Sequence, residues 1–153
     1  MASELELRPA KPVDREYIEA LLTQNALPTA DLLEKLSCLY VCEVKTKQVG
    51  VGGLEQHQEV GLLRSVAIEE SVRGNGYGKM VCNKLLERAR SEDISTVYLL
   101  TTTAEGFFTQ LGFKEVAREN VPPSIQSTSE FKDLCPASAV CMKCDLKEPT
   151  ENA

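Results

Sequence analysis

The sequence has no tryptophan, a single histidine, and aromatic residues at only 5 % of its 153 positions. No apolar run approaches the roughly 18 residues of a membrane span. The opening residues, MASELELRPAKP, carry charges where a secretory leader would carry an apolar core. Basic residues are short too: 17 Lys and Arg against 23 Asp and Glu leave a net charge of −6, which argues against a nucleic-acid binder, since that function needs a basic face. The phosphate-binding pattern G-x-x-x-x-G-K-[ST] is absent, which excludes a P-loop. Metal ligands are scarce. His57 has no second histidine beside it, and only Cys141 and Cys144 spell C-x-x-C. Those two lie in SAVCMKCDL, which reads as a strand, where residues three apart point to opposite faces. The expectation is no metal, and six cysteines kept as packing thiols in a reducing cytoplasmic compartment.

What is present suits one globular domain. Hydrophobic residues make up 42 % and charged residues 26 % of the chain, ordinary values for a domain with a single core. The expected organisation is one domain over residues 1–147 and a flexible tail over 148–153. A short strand around Leu5 and Leu7 ends at Pro9. Pro12 and Asp14 open a helix to about Gln24, with Ile18, Leu21 and Leu22 as its apolar stripe. A second short helix covers ADLLEKL. Strand-like runs follow at Leu39–Val44, Val49–Leu54 and Val60–Ile68, joined by polar reversals at 45–47 and 56–58, which make an antiparallel meander. A helix from Lys79 to Arg90, a buried strand Thr96–Thr101, a short helix Ala104–Leu111 ended by Gly112, and strands at 114–117 and 138–146 complete the chain. One βαβ unit thus sits in a mainly antiparallel sheet of about seven strands flanked by helices, an α/β (α+β) layer protein.

The segment richest in chemistry is LLRSVAIEESVRGNGYGKM. Its glycines, Gly74, Gly76 and Gly78, follow a strand and open a helix. Glycine lets the backbone approach a bulky anion, and the unpaired N–H groups of the first helical turn hold a phosphate with help from the helix dipole. Lys79 adds a positive charge at the same end. A plain glycine-rich turn is the alternative. The spacing G-x-G-x-G after several strands is not the Rossmann G-x-G-x-x-G. It is R-x-x-G-x-G, written by Arg73, Gly76 and Gly78, and here the sequence resembles the GNAT superfamily of acetyl-CoA-dependent N-acetyltransferases.

The resemblance runs from about Leu5 to Leu146. The strand before the loop in that family reads like V-A-V, matched by Val66-Ala67-Ile68. Ala104, Gly112 and Phe113 in TTTAEGFFTQLGF fall on the downstream pattern N-x-x-A-x-x-x-Y-x-x-x-G-F. Within the family, LPTADLLEKL, GVGGLE, GLLRSVAI, YLLTTTAEGFF and EFKDLCPASAVCM are similar to a small branch often encoded beside arsenic-resistance genes. That branch is distantly similar to amino-acid N-acetyltransferases of the N-acetylglutamate synthase kind.

The resemblance implies the following division of labour. The backbone of Val66, Ala67 and Ile68 pairs with the pantetheine arm of acetyl-CoA, and Gly74, Asn75, Gly76, Tyr77, Gly78 and Lys79 cradle its diphosphate. A bulge or splay between the fourth and fifth strands admits the thioester, and an N–H near Val66 stabilises the oxyanion. The acceptor amine must lose a proton to attack; Glu55, at the end of the third strand, leads the candidates for the base, ahead of Glu43 and Glu59, and its alternative is a solvated hairpin carboxylate. Phe108 stands where many relatives have a tyrosine acid, so it packs against the cofactor or the core, and Thr101 stands where asparagine is frequent. Water, Cys135, Tyr98 or Thr101 would have to supply the proton. Arg64 shares a strand face with Val66. It either grips the carboxylate of an amino-acid-like acceptor or forms an internal salt bridge. Arg73 either touches phosphate or fixes the loop.

The function expected is transfer of acetyl to the primary amine of a small amino-acid-like molecule by direct attack in a ternary complex. Acetylation of proteins or peptides, or non-catalytic acyl-CoA sensing, are the alternatives. No nucleic-acid or membrane partner is expected, and a homodimer is an expectation of the family resemblance alone.

Overall fold

The computed structural model describes residues 5–134 and 138–146. Its strands are β1 (Leu5–Pro9), β2 (Leu39–Val44), β3 (Lys47–His57), β4 (Val60–Ile68), β5 (Thr96–Thr101), β6 (Lys114–Glu115) and β7 (Val140–Asp145). The helices are α1 (Arg15–Gln24), α2 (Leu32–Lys35), α3 (Tyr77–Ser91), α4 (Glu105–Gln110) and α5 (Pro123–Gln126). The strands form one mixed sheet of seven in the order β1-β2-β3-β4-β5-β7-β6. β1/β2, β2/β3, β5/β7 and β6/β7 are antiparallel, and β4/β5 is the parallel pair. This is the α/β architecture expected.

Boundaries moved where local chemistry was hard to read. The β2–β3 reversal is a two-residue turn, Lys45-Thr46, with φ of +53° and +67° and Val44 paired to Lys47. That geometry usually carries glycine or asparagine. Without either, the turn reads as three residues, and β3 is longer at both ends than its apolar stretch Val49–Leu54. The second reversal falls on Gln58-Glu59 rather than 56–58. α3 starts two residues before Lys79, inside the glycine segment, and β6 keeps only two of the four residues expected. The linker after β6 holds α5 and a π-helical turn at Glu130–Leu134. The tail at 148–153 and Cys135 lie outside the described residues.

The chain divides into two compact units. One contains the residues up to Glu55 together with Leu63–Leu85. Its core gathers Ile18, Leu21 and Leu22 of α1, Leu32 of α2, Leu39 and Val41 of β2, Val51 of β3 and Ala67 of β4. Burying each large aliphatic side chain stabilises the fold by about 1.5–3 kcal/mol, so the α1 stripe read from the sequence is what anchors that helix. The other unit contains Gln56–Leu62 and the chain from Leu86 onward. Its core joins Leu62, Tyr98, Val121, Ile125, Phe131 and Cys141. Here Val60, Gly61 and Leu62 of β4 pair in parallel with Thr96, Val97 and Tyr98 of β5.

No helix among the described residues is long and apolar enough to cross a membrane. No cluster of three or more His, Cys, Asp or Glu placed to hold a metal occurs among them. Cys141 and Cys144 stand on β7 opposite Leu100 and Val97, and burial pushes the Cys141 thiol up to about 11.

Candidate active site

The glycine segment leads into α3 with its donors unspent. Met80 N–H bonds to Gly76 O at 3.1 Å, the first backbone bond of the helix start. Among the described residues, the amides of Gly74, Asn75, Gly76, Tyr77, Gly78 and Lys79 donate to no backbone carbonyl, as the orphan donors of a first helical turn should. Gly74 and Gly76 have φ of +88° and +82°, and a Cβ on either would meet nothing within 4 Å. Their lack of a side chain therefore serves the backbone conformation and leaves the amides uncovered. Asn75 closes the loop on itself, its Nδ2 donating to Val72 O at 2.8 Å. Arg73 does not point loosely outward: Nε donates to Ile68 O at 3.2 Å and Nη2 to Asn25 Oδ1 at 2.6 Å.

Upstream, β4 carries one irregular residue. Ser65 has φ of +58° in the middle of the strand, a conformation costing a non-glycine residue roughly 1–2 kcal/mol. Such outliers and bulges gather at functional sites, where they re-aim the backbone. Val66, the residue expected to offer its N–H to the acetyl oxygen, comes directly after it.

Beside Ser65 lies a buried charge network. Arg64 is 4 % exposed, Glu55 5 % and Asp31 6 %. The Arg64 guanidinium grips Asp31 with both ends of its fork, Nη2 to Oδ1 at 2.7 Å and Nη1 to Oδ2 at 2.8 Å. Nη1 also reaches Glu55 Oε1 at 3.2 Å, and Nε donates to Ser65 Oγ at 3.3 Å. The other Glu55 oxygen accepts from Lys35 Nζ at 3.0 Å. Each of these carboxylates thus meets a cation, as buried charge requires. Glycine on β3 makes room: a Cβ at Gly53 would fall 3.3 Å from Arg64 Cγ and 2.6 Å from Leu39 Cδ2. Of the two roles open to Arg64, the internal salt bridge is the one present, and the fork meant for an acceptor carboxylate is filled by Asp31. Glu55 is not a solvated hairpin carboxylate, since β3 continues past it to His57.

The acetyltransferase (GNAT) family model matches residues 3–113. The chain belongs to this family. As a GNAT acetyltransferase it draws its acetyl group from acetyl-CoA. It is 27 % identical over 124 residues to an amino-acid acetyltransferase of Mycobacterium tuberculosis, an alignment covering 80 % of this chain and 68 % of that one. A crystal structure from M. tuberculosis, in complex with CoA and NLQ, superposes with a TM-score of 0.76 at 26 % identity, covering 92 % of this chain and 99 % of that one. N-acetylglutamate synthase from Neisseria gonorrhoeae, complexed with coenzyme A and L-arginine, shares the fold at a TM-score of 0.80 and 19 % identity. The match takes in 94 % of this chain but only 34 % of the synthase, so the acetyltransferase spans about a third of that protein.

The remaining candidates in this acetyltransferase fall out as follows. Phe108 is half-buried on α4, edge-on to Phe113 at 5.7 Å and to Phe107 at 5.0 Å, the packing role its lack of a proton leaves it. Thr101 Oγ1 accepts from Ala104 N–H at 3.0 Å and so braces the start of α4. Tyr98 is a core residue, 7 % exposed, and burial pushes its phenol up, away from the range useful to an acid. Glu43 is paired with Arg8 at 3.1 Å, and the Glu59 carbonyl accepts from Ser95. Lys79 is exposed at the first turn of α3. Three residues of the neighbourhood escaped sequence reasoning: Asp31, Lys35 and Asn25. Only Asp31 had a signal, because Arg64 inside an apolar strand demands a buried carboxylate somewhere.

Proposed function

We propose that this acetyltransferase moves acetyl from acetyl-CoA to the primary amine of a small amino-acid-like acceptor by direct attack. The observation that carries the coenzyme half of this reading is the run of six amides, Gly74 to Lys79, with no backbone partner among the described residues. Six N–H groups at a helix start form a nest for a diphosphate without a net basic protein, which fits a chain of charge −6. The acceptor half rests on the similarity to amino-acid acetyltransferases.

In this reading the backbone of Val66, Ala67 and Ile68 lies along the pantetheine arm. The turn at Ser65 aims the Val66 N–H at the acetyl oxygen, where a preorganised donor contributes a few kcal/mol. Glu55 takes up the proton of the attacking amine. Arg64 positions Glu55 and does not hold substrate, because its fork is engaged by Asp31. The leaving thiolate needs no protein acid of its own: a free thiol titrates at roughly 8.5, so water suffices. The finer placement beside the arsenic-resistance branch makes an amino-acid-like arsenical one of the acceptors to try.

The test is thiol release from acetyl-CoA with purified protein and a panel of free amino acids, that arsenical, and short peptides. Turnover above hydrolysis on one or more free amino-acid-like compounds is the expected result. Acetylation confined to peptides, or tight coenzyme binding with no turnover on any amine, overturns it in favour of a protein acetyltransferase or an acyl-CoA sensor respectively.

A further inference from the structure

The coenzyme loop is held from outside by a residue that none of its own motif predicts. Asn25 is the C-cap of α1, where its backbone N–H turns back on Leu21 O and Leu22 O. Its side chain bridges two elements. Nδ2 donates to Leu21 O at 2.9 Å, and Oδ1 accepts from Arg73 Nη2 at 2.6 Å. These partners fix which way the carboxamide faces, since a carbonyl can only accept and a guanidinium can only donate. The end of α1 thus aims an acceptor at Arg73. Arg73 in turn spans to Ile68 O, the last residue of β4, at 3.2 Å.

The loop between Arg73 and α3 needs such a brace. Gly74 and Gly76 carry positive φ, and a Cβ on either would meet nothing within 4 Å, so apart from the Asn75–Val72 and Met80–Gly76 bonds no side-chain packing holds this stretch, and glycine has little backbone preference of its own. A loop free to move must be ordered when ligand binds, and that ordering subtracts from affinity. We propose that Asn25 is a positioning residue for coenzyme binding. Through Arg73 it ties the start of the amide cradle to the end of α1 and to β4, so that the donors are arranged before the diphosphate arrives. Arg73 then serves the loop's shape first, whether or not its remaining N–H groups meet phosphate.

The experiment compares wild type, Asn25→Ala and Asn25→Asp by calorimetric titration with coenzyme A and by thermal melting. Asn25→Ala removes both side-chain bonds. Asn25→Asp loses the donor to Leu21 but keeps an oxygen for Arg73. The Asn25–Arg73 bond is exposed and counts as an ordinary hydrogen bond rather than a buried charged one, which sets the expected loss at about three- to tenfold in Kd for Asn25→Ala. Asn25→Asp should bind coenzyme A within about twofold of wild type, although both variants melt at similarly lowered temperatures because both lose the cap. Adding Asn25→Ala to Arg73→Ala should weaken binding no further than Arg73→Ala alone. Unchanged affinity in Asn25→Ala, or affinity that follows the melting temperature so that Asn25→Asp is as weak as Asn25→Ala, overturns the proposal.

Discussion

Arg64 and Asp31, 33 positions apart in sequence, meet in a two-pronged ion pair at 2.7 and 2.8 Å, with side chains 2 % and 6 % exposed. The pair staples the start of α2 to the middle of β4, and Lys35 to Glu55 staples the other end of the same helix to β3. A four-residue helix has too few internal bonds to hold itself, so its place is set by these charges and by Leu32 in the core. Removing one member of a buried pair strands the other. Arg64→Ala should therefore cost about 3–5 kcal/mol in denaturant unfolding. Arg64→Lys should recover little of it, because an ammonium cannot fill a fork. A loss below about 1 kcal/mol for Arg64→Ala would show the pair to be ornamental.

Glu55 is the second carboxylate of that network, and the catalytic role proposed for it separates from a structural one by measurement. Glu55→Gln keeps shape and an oxygen but has no proton-accepting carboxylate. Loss of a positioned base lowers kcat by about 10²–10⁴-fold. The expected outcome is a fall of that size in kcat with the acetyl-CoA KM near wild type. Lys35→Met, which leaves Arg64 on Glu55, should lower kcat far less. Near-normal kcat in Glu55→Gln, together with a lowered melting temperature, would reduce Glu55 to an anchor for α2.

Much of this was legible in the chain, and the illegible parts share a cause. β4 and β5 have the bounds the sequence suggested, Val60–Ile68 and Thr96–Thr101, because continuous apolar, β-branched runs between polar turns leave few alternatives. The loop was legible because its glycines are needed by local geometry. Arg64 announced that it had a partner, yet no pattern near it named Asp31, or named Lys35 as the partner of Glu55 20 positions later. Ion pairs closed by tertiary structure leave no periodic trace. Ser65 is similar: a serine at φ +58° has no local signature, since the strand on either side of it reads as regular.

Close packing between β3 and the end of β4 gives a sharper probe of the coenzyme role proposed for β4. A Cβ placed on Gly50 would sit 2.6 Å from Ala67 O and 3.3 Å from Ile68 Cα, both backbone atoms. At Gly52 the nearest atoms are side-chain tips, Leu85 Cδ1 at 2.9 Å and Val81 Cγ1 at 3.0 Å. Overpacking that rigid backbone must absorb costs about 1–3 kcal/mol. Gly50→Ala should raise the KM for acetyl-CoA several-fold while leaving the acceptor KM nearly unchanged, because the atoms that must move belong to the strand proposed to lie along the pantetheine. Gly52→Ala should destabilise without that selectivity. Equal effects of Gly50→Ala on both substrates would detach Ala67 and Ile68 from the coenzyme.

The acid side of the stability curve turns on Asp14. Its carboxylate takes both prongs of Arg8, at 2.9 and 3.0 Å, and the Lys11 N–H at 2.8 Å. Arg8 is the main reason that its pKa is held below the usual 3.8, against the opposing pull of burial. A carboxyl whose folded pKa is depressed binds fewer protons folded than unfolded. The stabilisation is therefore complete above pH 3.8, the ordinary value, and is lost as the pH falls from there through the lower folded value. Asp14→Asn should cost about 1.5–3 kcal/mol at neutral pH, the value of charged hydrogen bonds. The gap between the variant and wild type should narrow as unfolding is measured at successively lower pH below 3.8. A gap that stays constant into that acid range would mean that Asp14 acts through shape alone, and Arg8 would be left as an ordinary surface cation with a neighbour in Glu43.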